Sequence, residues 1–82
     1  MSAEKYQSVS VKKRSVLIAG HPTSVSLEAP FWDILKEIAI ARGCSLNALI
    51  EHVDGSREGN LSSALRVFVL ACLLDARQRP GV

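Results

Sequence analysis

The sequence predicts a mainly α-helical fold with a short β ribbon, assembled as an intertwined homodimer. A segment of alternating residues leads directly into an amphipathic helix, and a second helix follows after a glycine and a serine. A third helical segment, closer to the C-terminal end, is apolar on almost every side. An unpaired strand and a helix that is apolar all round both need a further surface to pack against. We expect a second copy of the same chain to supply that surface.

Size and composition indicate one small domain with an aliphatic core. The chain has 82 residues, of which 48% are hydrophobic and only 5% aromatic. Its formal net charge of +2 is too small to identify a nucleic-acid-binding protein by charge alone. The two cysteines form no regularly spaced pairs, which is typical of reduced thiols in a cytoplasmic protein. No apolar run reaches the roughly 20 residues that span a bilayer, and no segment has the form of a signal peptide, so we expect a cytoplasmic location and no membrane partner.

Positive charges cluster near the beginning of the sequence. Residues 1–14 are polar, and Lys12, Lys13 and Arg14 stand together at their end. We expect this segment to be a flexible basic arm that precedes a folded domain over residues 15–79. Two interpretations of the arm remain open, a solvated charged tail and an arm that contacts phosphates.

Two short segments have strand character. Residues 15–19 are β-prone and are followed by a break at residues 20–22, which contain glycine and proline. Residues 23–27 then alternate, with Val25 and Leu27 on one face. The two segments could form a hairpin within the chain, or the second could pair across a dimer axis with the first as an edge addition or an arm. We favour the second arrangement.

Two helices follow the alternating segment. Pro30 suits the first turn of a helix that runs to Arg42, because its fixed φ is helical and its missing N–H costs nothing there. Gly43 ends this helix in a left-handed conformation. Ser45 is a favourable N-cap for the second helix.

A third helix is predicted from Leu61 to about Gln78, capped by Asn60 or Ser62, with a tail at residues 80–82. Because its apolar side chains occupy almost the whole circumference, we expect a second subunit to bury it. The residues expected in the dimer core are Val25, Leu27, Trp32, Leu35, Ile38, Leu49, Ile50 and Phe68.

These elements together resemble the ribbon-helix-helix fold of the Arc/MetJ superfamily of bacterial DNA-binding proteins. The resemblance lies in the alternating Ser24-Val25-Ser26-Leu27, the helix from Pro30 to Arg42, the Gly43-x-Ser45 turn, and Leu46, Leu49 and Ile50 after it. The longer pattern over residues 15–28, followed by Phe31-Trp32, looks like a small bacterial subfamily of uncharacterised ribbon-helix-helix domain proteins.

The resemblance implies a mode of DNA binding. In the superfamily, strands of two subunits form an antiparallel ribbon that enters the major groove. By position, Ser24 and Ser26 would contact bases, and the N-terminus of the second helix would bind phosphate. The resemblance gives Ser45 and Leu46 as candidates for phosphate contact. Lys12, Lys13 and Arg14 are further candidates because of their positive charge, and His21 is one if the ribbon meets DNA.

Two departures from the superfamily keep a second function open. Ribbon residues that read bases usually have long hydrogen-bonding side chains, and Ser24 and Ser26 are short. Glu28 adds a negative charge at the end of the ribbon. We therefore consider a dimeric transcription regulator first, and second a protein-interaction module, adaptor or antitoxin-like, whose third helix binds a protein partner.

Neither catalysis nor metal binding is indicated. The sequence has no recognisable set of nucleophile, base and orienting group, so we do not expect an enzyme. His21, His52, Cys44 and Cys72 lack any spacing typical of zinc ligands. We accordingly expect no metal and no cofactor.

Overall fold

A computed structural model describes residues 10–56 and 59–77 of the chain. Its elements in chain order are β1 (Val11–Ile18), β2 (His21–Glu28), α1 (Ala29–Arg42), α2 (Leu46–Ser56) and α3 (Leu61–Arg77). The two strands form one antiparallel sheet, and the three helices follow it. The prediction of a mainly α-helical ribbon-helix-helix fold with an additional C-terminal helix is confirmed. The second subunit remains a prediction.

The two strands form a hairpin within the chain. Ala19 and Gly20 alone make the turn, with φ angles of 52° and 81°. Positive φ at both central residues is the signature of a type I′ turn, whose twist matches that of the flanking strands. Of the two arrangements left open, the structure therefore contains the hairpin, and β2 needs no second copy as its partner strand. The break predicted at residues 20–22 is confirmed at Gly20, but it ends there, because His21 and Pro22 belong to β2.

The first strand begins earlier than expected. It starts at Val11, so Lys12, Lys13 and Arg14 belong to a strand and not to a flexible arm. The physical reason is that β2 extends to Glu28. Every residue of β1 back to Val11, which pairs with Glu28, therefore has a partner residue in β2. Charged side chains are well tolerated on such an edge strand. The rest of the predicted arm, residues 1–9, and the tail at 80–82 lie outside the described residues.

The hydrophobic core lies between the hairpin and the three helices. Its buried residues are Val16, Val25, Leu27, Trp32, Leu35, Ala39, Leu49, Ile50, Val53, Leu61, Leu65 and Val69. Six of the eight residues predicted for a dimer core are among them, and Ile38 and Phe68 pack against them partly buried. Those six are at most 2% exposed within one chain. These six residues therefore form a core within one chain and not a dimer core, because the hairpin and α3 already cover their side chains.

Helix α3 buries one face only. Leu65 and Val69 point into the core, whereas Val67, Leu70 and Leu74 are 64%, 55% and 43% exposed. Burial on most sides is therefore not achieved within one chain. A helix turns by 100° per residue, so a single neighbouring layer covers one stripe of α3 and leaves the opposite stripe to solvent.

Helix boundaries follow the predicted caps. Gly43 has φ 69° and donates its N–H to the Ile40 carbonyl at 3.1 Å. Ser45 Oγ accepts a hydrogen bond from the Ala48 N–H at 3.0 Å. Asn60 Oδ1 accepts from the Ser63 N–H at 3.1 Å, so Asn60 caps α3.

Over the two described ranges, no single helix is long and apolar enough to cross a membrane. Only α2 and α3 taken together reach that length and composition, and this pair is bent by 104°.

Candidate nucleic-acid interface

The outer face of the hairpin is polar around its middle. Antiparallel pairing sets Ser24 opposite Ser15, and Ser26 opposite Lys13. Directly opposed residues share a face, so these four side chains lie together on the side away from the buried Val25. The alternation in the sequence correctly placed Ser24 and Ser26 there. The contribution of β1 was missed because Lys13 was assigned to an arm.

The three basic residues of β1 divide between the two faces. Lys13 faces outward, whereas Lys12 and Arg14 alternate onto the face that carries the helices. The Arg14 guanidinium lies 5.4 Å from the centre of the Trp32 ring. Trp32 Nε1 donates a hydrogen bond of 2.9 Å to the Lys12 carbonyl. The predicted phosphate contacts Lys12 and Arg14 thus do not share the outer face with Ser24.

A cavity of about 350 Å³ opens where the beginning of β1 meets α1. We call it the basic cavity; its lining residues are Lys12, Lys13, Arg14, Ala29, Trp32, Asp33 and Lys36. Lys36 belongs to α1, and its side chain is exposed. Only the fold brings it beside the cations of β1.

The outer edge of β1 is closed near the turn by Asn47. Its Oδ1 accepts the Leu17 N–H at 2.9 Å, and its Nδ2 donates to the Leu17 carbonyl at 2.9 Å. In a two-residue hairpin the pair Ile18–His21 is hydrogen-bonded, so the backbone groups of Leu17 point away from β2. Pro22, opposite Leu17, has no N–H to offer. The first turn of α2 therefore stands beside the edge of the ribbon.

This contact also places the predicted phosphate anchor. Ser45 and Leu46 directly precede Asn47 at the start of α2. Ser45 is exposed, and Leu46 is half-buried. The Leu46 N–H donates to no acceptor in the described part of the chain. A free N–H at a helix N-terminus, together with the positive end of the helix dipole, suits an anion.

The outer edge of β2 is open. By the same alternation, the backbone N–H and C=O groups of Ser24 and Ser26 point away from β1. Within residues 10–56 and 59–77, no hydrogen bond from another element reaches them. A strand edge of this kind is a ready template for pairing with another chain.

Glu28 does not present a free negative charge beside the ribbon. Arg66 of α3 holds its carboxylate through two hydrogen bonds, Nε to Oε1 at 2.9 Å and Nη2 to Oε2 at 3.2 Å. This side-chain hydrogen bonding lowers the pKa of Glu28 below its ordinary value. The pair also places α3 beside the end of β2. No sequence signal could have revealed it, because 38 positions separate the two residues.

His21 is exposed next to the turn and shares the face of Val25, as Lys12 and Arg14 do. It lies toward the opposite end of the hairpin from those two residues. In the part of the chain that is described, no three His, Cys, Asp or Glu side chains come close enough to hold a metal ion.

Comparisons with known proteins agree with this architecture. The sequence model of one family, the ribbon-helix-helix domain, matches residues 11–73. Among solved structures, an uncharacterized protein from Bordetella pertussis Tohama I is similar, with a TM-score of 0.72 and 36% sequence identity. The match covers 92% of this chain and 66% of that protein, so this chain spans just under two thirds of its relative. Among curated proteins, no significant match is found.

Proposed function

This chain belongs to the ribbon-helix-helix family, and we propose on that basis that it is a homodimeric DNA-binding protein that regulates transcription. Domains of this family generally bind DNA as dimers in transcription regulators and are not enzymes. The observation that best supports the proposal here is the polar outer face of the hairpin, where Ser24, Ser26 and Lys13 lie together. The proposed site of action is the bacterial cytoplasm.

The dimer forms through the open edge of β2. Asn47 occupies the edge of β1 at Leu17, and the edge of β2 carries no such contact in the described ranges, so we place the second copy at β2. Antiparallel pairing of two β2 strands through Ser24 and Ser26 makes a four-stranded sheet in the order β1-β2-β2-β1. Pro22 ends this pairing because it has no N–H.

We place the exposed stripe of α3 next to this edge. Arg66 binds Glu28 at the end of β2, and α3 accordingly passes beside that strand. Val67, Leu70 and Leu74 then come within reach of the second copy. Their burial in the dimer removes the apolar surface that one chain leaves exposed.

The width of this sheet determines how it meets DNA. Strands lie about 4.8 Å apart, so the axes of the outer strands are about 14 Å from each other. The major groove is about 12 Å wide. The central β2 pair therefore enters the groove, and each β1 strand lies over a phosphate backbone. Ser24 and Ser26 face base edges, whereas Lys13 and the start of α2 at Ser45 face phosphates.

Fluorescence anisotropy of a labelled random-sequence duplex, titrated at low and near-physiological salt, tests DNA binding. We expect tight binding at low salt and a steep loss of affinity as salt rises, because binding releases counterions. Lys13→Ala should weaken binding to all sequences about equally, whereas Ser26→Ala should change the order of preference among duplexes. An absence of binding at low salt would overturn the proposal.

The dimer has its own test, in Ser24→Pro. This change removes an N–H from the open edge and none from the β1–β2 ladder. Sedimentation should show a shift from dimer to monomer, while circular dichroism keeps the hairpin and helices. Thr23→Pro is the matched control, because Thr23 pairs with Val16 and its N–H points toward β1; it should lose the hairpin itself. A Ser24→Pro protein that stays dimeric would exclude pairing through β2.

The second candidate function is a protein-interaction module. The observation that favours it is a groove of about 450 Å³ between α2 and α3, lined largely by apolar side chains including Val53, Val67 and Phe68. A module of this kind would bind a protein partner with little dependence on salt. If the protein is a dimer and binds no DNA at low salt, that result would favour this second function.

A further inference from the structure

We propose that the basic cavity binds a phosphate of the DNA backbone and that Lys36 of α1 is one of the residues that holds it. This inference rests on the proposed function and adds a phosphate site, separate from the N-terminus of α2, that joins Lys13 of the outer face to cations on the helix side of the hairpin.

The charge of the basic cavity is strongly unbalanced. Lys12, Lys13, Arg14 and Lys36 line it, against Asp33 as the one acidic residue of the lining. None of these four cations forms a salt bridge within the described ranges. Unpaired cations that converge on an open cavity of about 350 Å³ raise the local concentration of anions.

One wall of the cavity is a buried, hydrogen-bonded aromatic ring. Trp32 is only 2% exposed, and its Nε1 is fixed by the hydrogen bond to the Lys12 carbonyl. Arg14 rests over this fixed ring, with its guanidinium carbon 5.4 Å from the ring centre. A cation already held in place loses less side-chain entropy when it binds an anion.

The position of the cavity matches the course of a DNA strand along β1. Lys13 lies four residues from Leu17, where Asn47 brings the N-terminus of α2 to the same strand. Four residues of a strand span about 13 Å. A DNA strand carries one phosphate for about every 3.4 Å of helix axis, so one backbone can reach both points. The outer strand then has a phosphate site at each end.

Lys36→Ala tests the site against a matched control, Arg77→Ala. Both variants remove one exposed positive charge from a helix, and Arg77 lies in the last turn of α3. Each phosphate contact contributes about 0.9 to the slope of log K against log salt concentration. A dimer loses two contacts, so Lys36→Ala should lower that slope by about 2 in duplex anisotropy titrations. Arg77→Ala should leave the slope unchanged. Equal slopes for the two variants, together with DNA binding by the wild-type protein, would overturn the proposal that the basic cavity binds a phosphate. The proposed function would not be affected by that result.

Asp33→Asn gives a result of opposite sign. Removal of the carboxylate from the cavity should tighten duplex binding, because the anion no longer meets a like charge. Glu37→Gln removes the same charge from an exposed position of α1 outside the cavity and should have a smaller effect. Equal effects of these two variants would count against the site. A wild-type protein that binds no duplex overturns this inference together with the proposed function.

Discussion

The side-chain amide of Asn47 binds both backbone groups of Leu17, each at 2.9 Å, and so takes the place that a neighbouring strand would occupy. A third contact, from Nδ2 to Glu51 Oε1 at 3.3 Å, steadies the same amide from one turn further along α2. The arrangement closes the edge of β1 at Leu17 and joins α2 to the ribbon. The edge of β2 has no corresponding contact in the described ranges, which is why we propose β2 as the edge that pairs with a second copy.

Asn47→Ala should destabilise the fold and expose the edge of β1. Loss of two hydrogen bonds at an exposed site should cost about 1 kcal/mol in the free energy of unfolding, because water replaces part of the interaction. Urea denaturation followed by circular dichroism measures the change. Asn47→Asp is the informative companion: its carboxylate still accepts the Leu17 N–H but cannot donate to the Leu17 carbonyl. If Asn47→Asp proves as stable as wild type, the gain from a negative charge in the first turn of α2 equals the loss of the donated bond.

The ion pair of Glu28 and Arg66 should make stability depend on pH. Arg66 lowers the pKa of Glu28 in the folded chain. The stabilisation is therefore fully present above the ordinary carboxyl pKa of about 4.3 and is lost as the pH falls through the lowered value. Glu28→Gln should accordingly reduce the melting temperature at neutral pH and converge with wild type in acid.

Glu37→Gln is the control for that series, since Glu37 is exposed and forms no ion pair in the described ranges. Its melting temperature should follow the wild-type curve at every pH. A difference between Glu28→Gln and wild type that stays constant down to strong acid would contradict the role of the ion pair.

The hairpin turn should be open to stabilisation. Ala19 has a φ of 52°, a conformation that costs a residue with a Cβ about 1 kcal/mol. Asn tolerates this conformation and is preferred before glycine in type I′ turns. Ala19→Asn should therefore raise the free energy of unfolding by about 1 kcal/mol, measured by urea denaturation.

Gly20→Ala should move stability in the other direction. Gly20 has a φ of 81°, and a Cβ placed there meets no atom within 4 Å. The expected loss of about 1 kcal/mol is thus a backbone effect and not a clash. If Ala19→Asn and Gly20→Ala have the same free energy of unfolding, the type I′ assignment of the turn is contradicted.

Leu35 should be among the most sensitive positions of the core. It is fully buried between the hairpin and the helices, and Leu35→Ala should cost about 3 kcal/mol of unfolding free energy through lost burial and the cavity left behind. Ile40, on the same helix, is 78% exposed. Ile40→Ala should stay within about 0.5 kcal/mol of wild type. Similar losses at both positions would show that Ile40 is buried in an assembly.

Features that depend on neighbours a few residues apart were predictable from the sequence. Gly43 ends α1, Ser45 and Asn60 cap the next two helices, and the alternation around Val25 separates the two faces of β2. Each follows from the stereochemistry of a few consecutive residues, such as the positive φ that glycine tolerates or the hydroxyl that reaches a backbone N–H three positions on.

Long-range contacts had to come from the tertiary structure. The pairing of Asn47 with Leu17, of Arg66 with Glu28, and of Lys36 with the cations of β1 joins residues that lie on different elements. In the sequence, polar side chains of this kind cannot be told apart from solvated surface groups. Their spacing along a helix or strand and their residue types are the same as those of other polar surface residues. Which of them meet depends on how β1 folds back along β2 and how the helices pack over the hairpin. Burial of apolar side chains drives that packing, and burial does not encode which polar groups become neighbours.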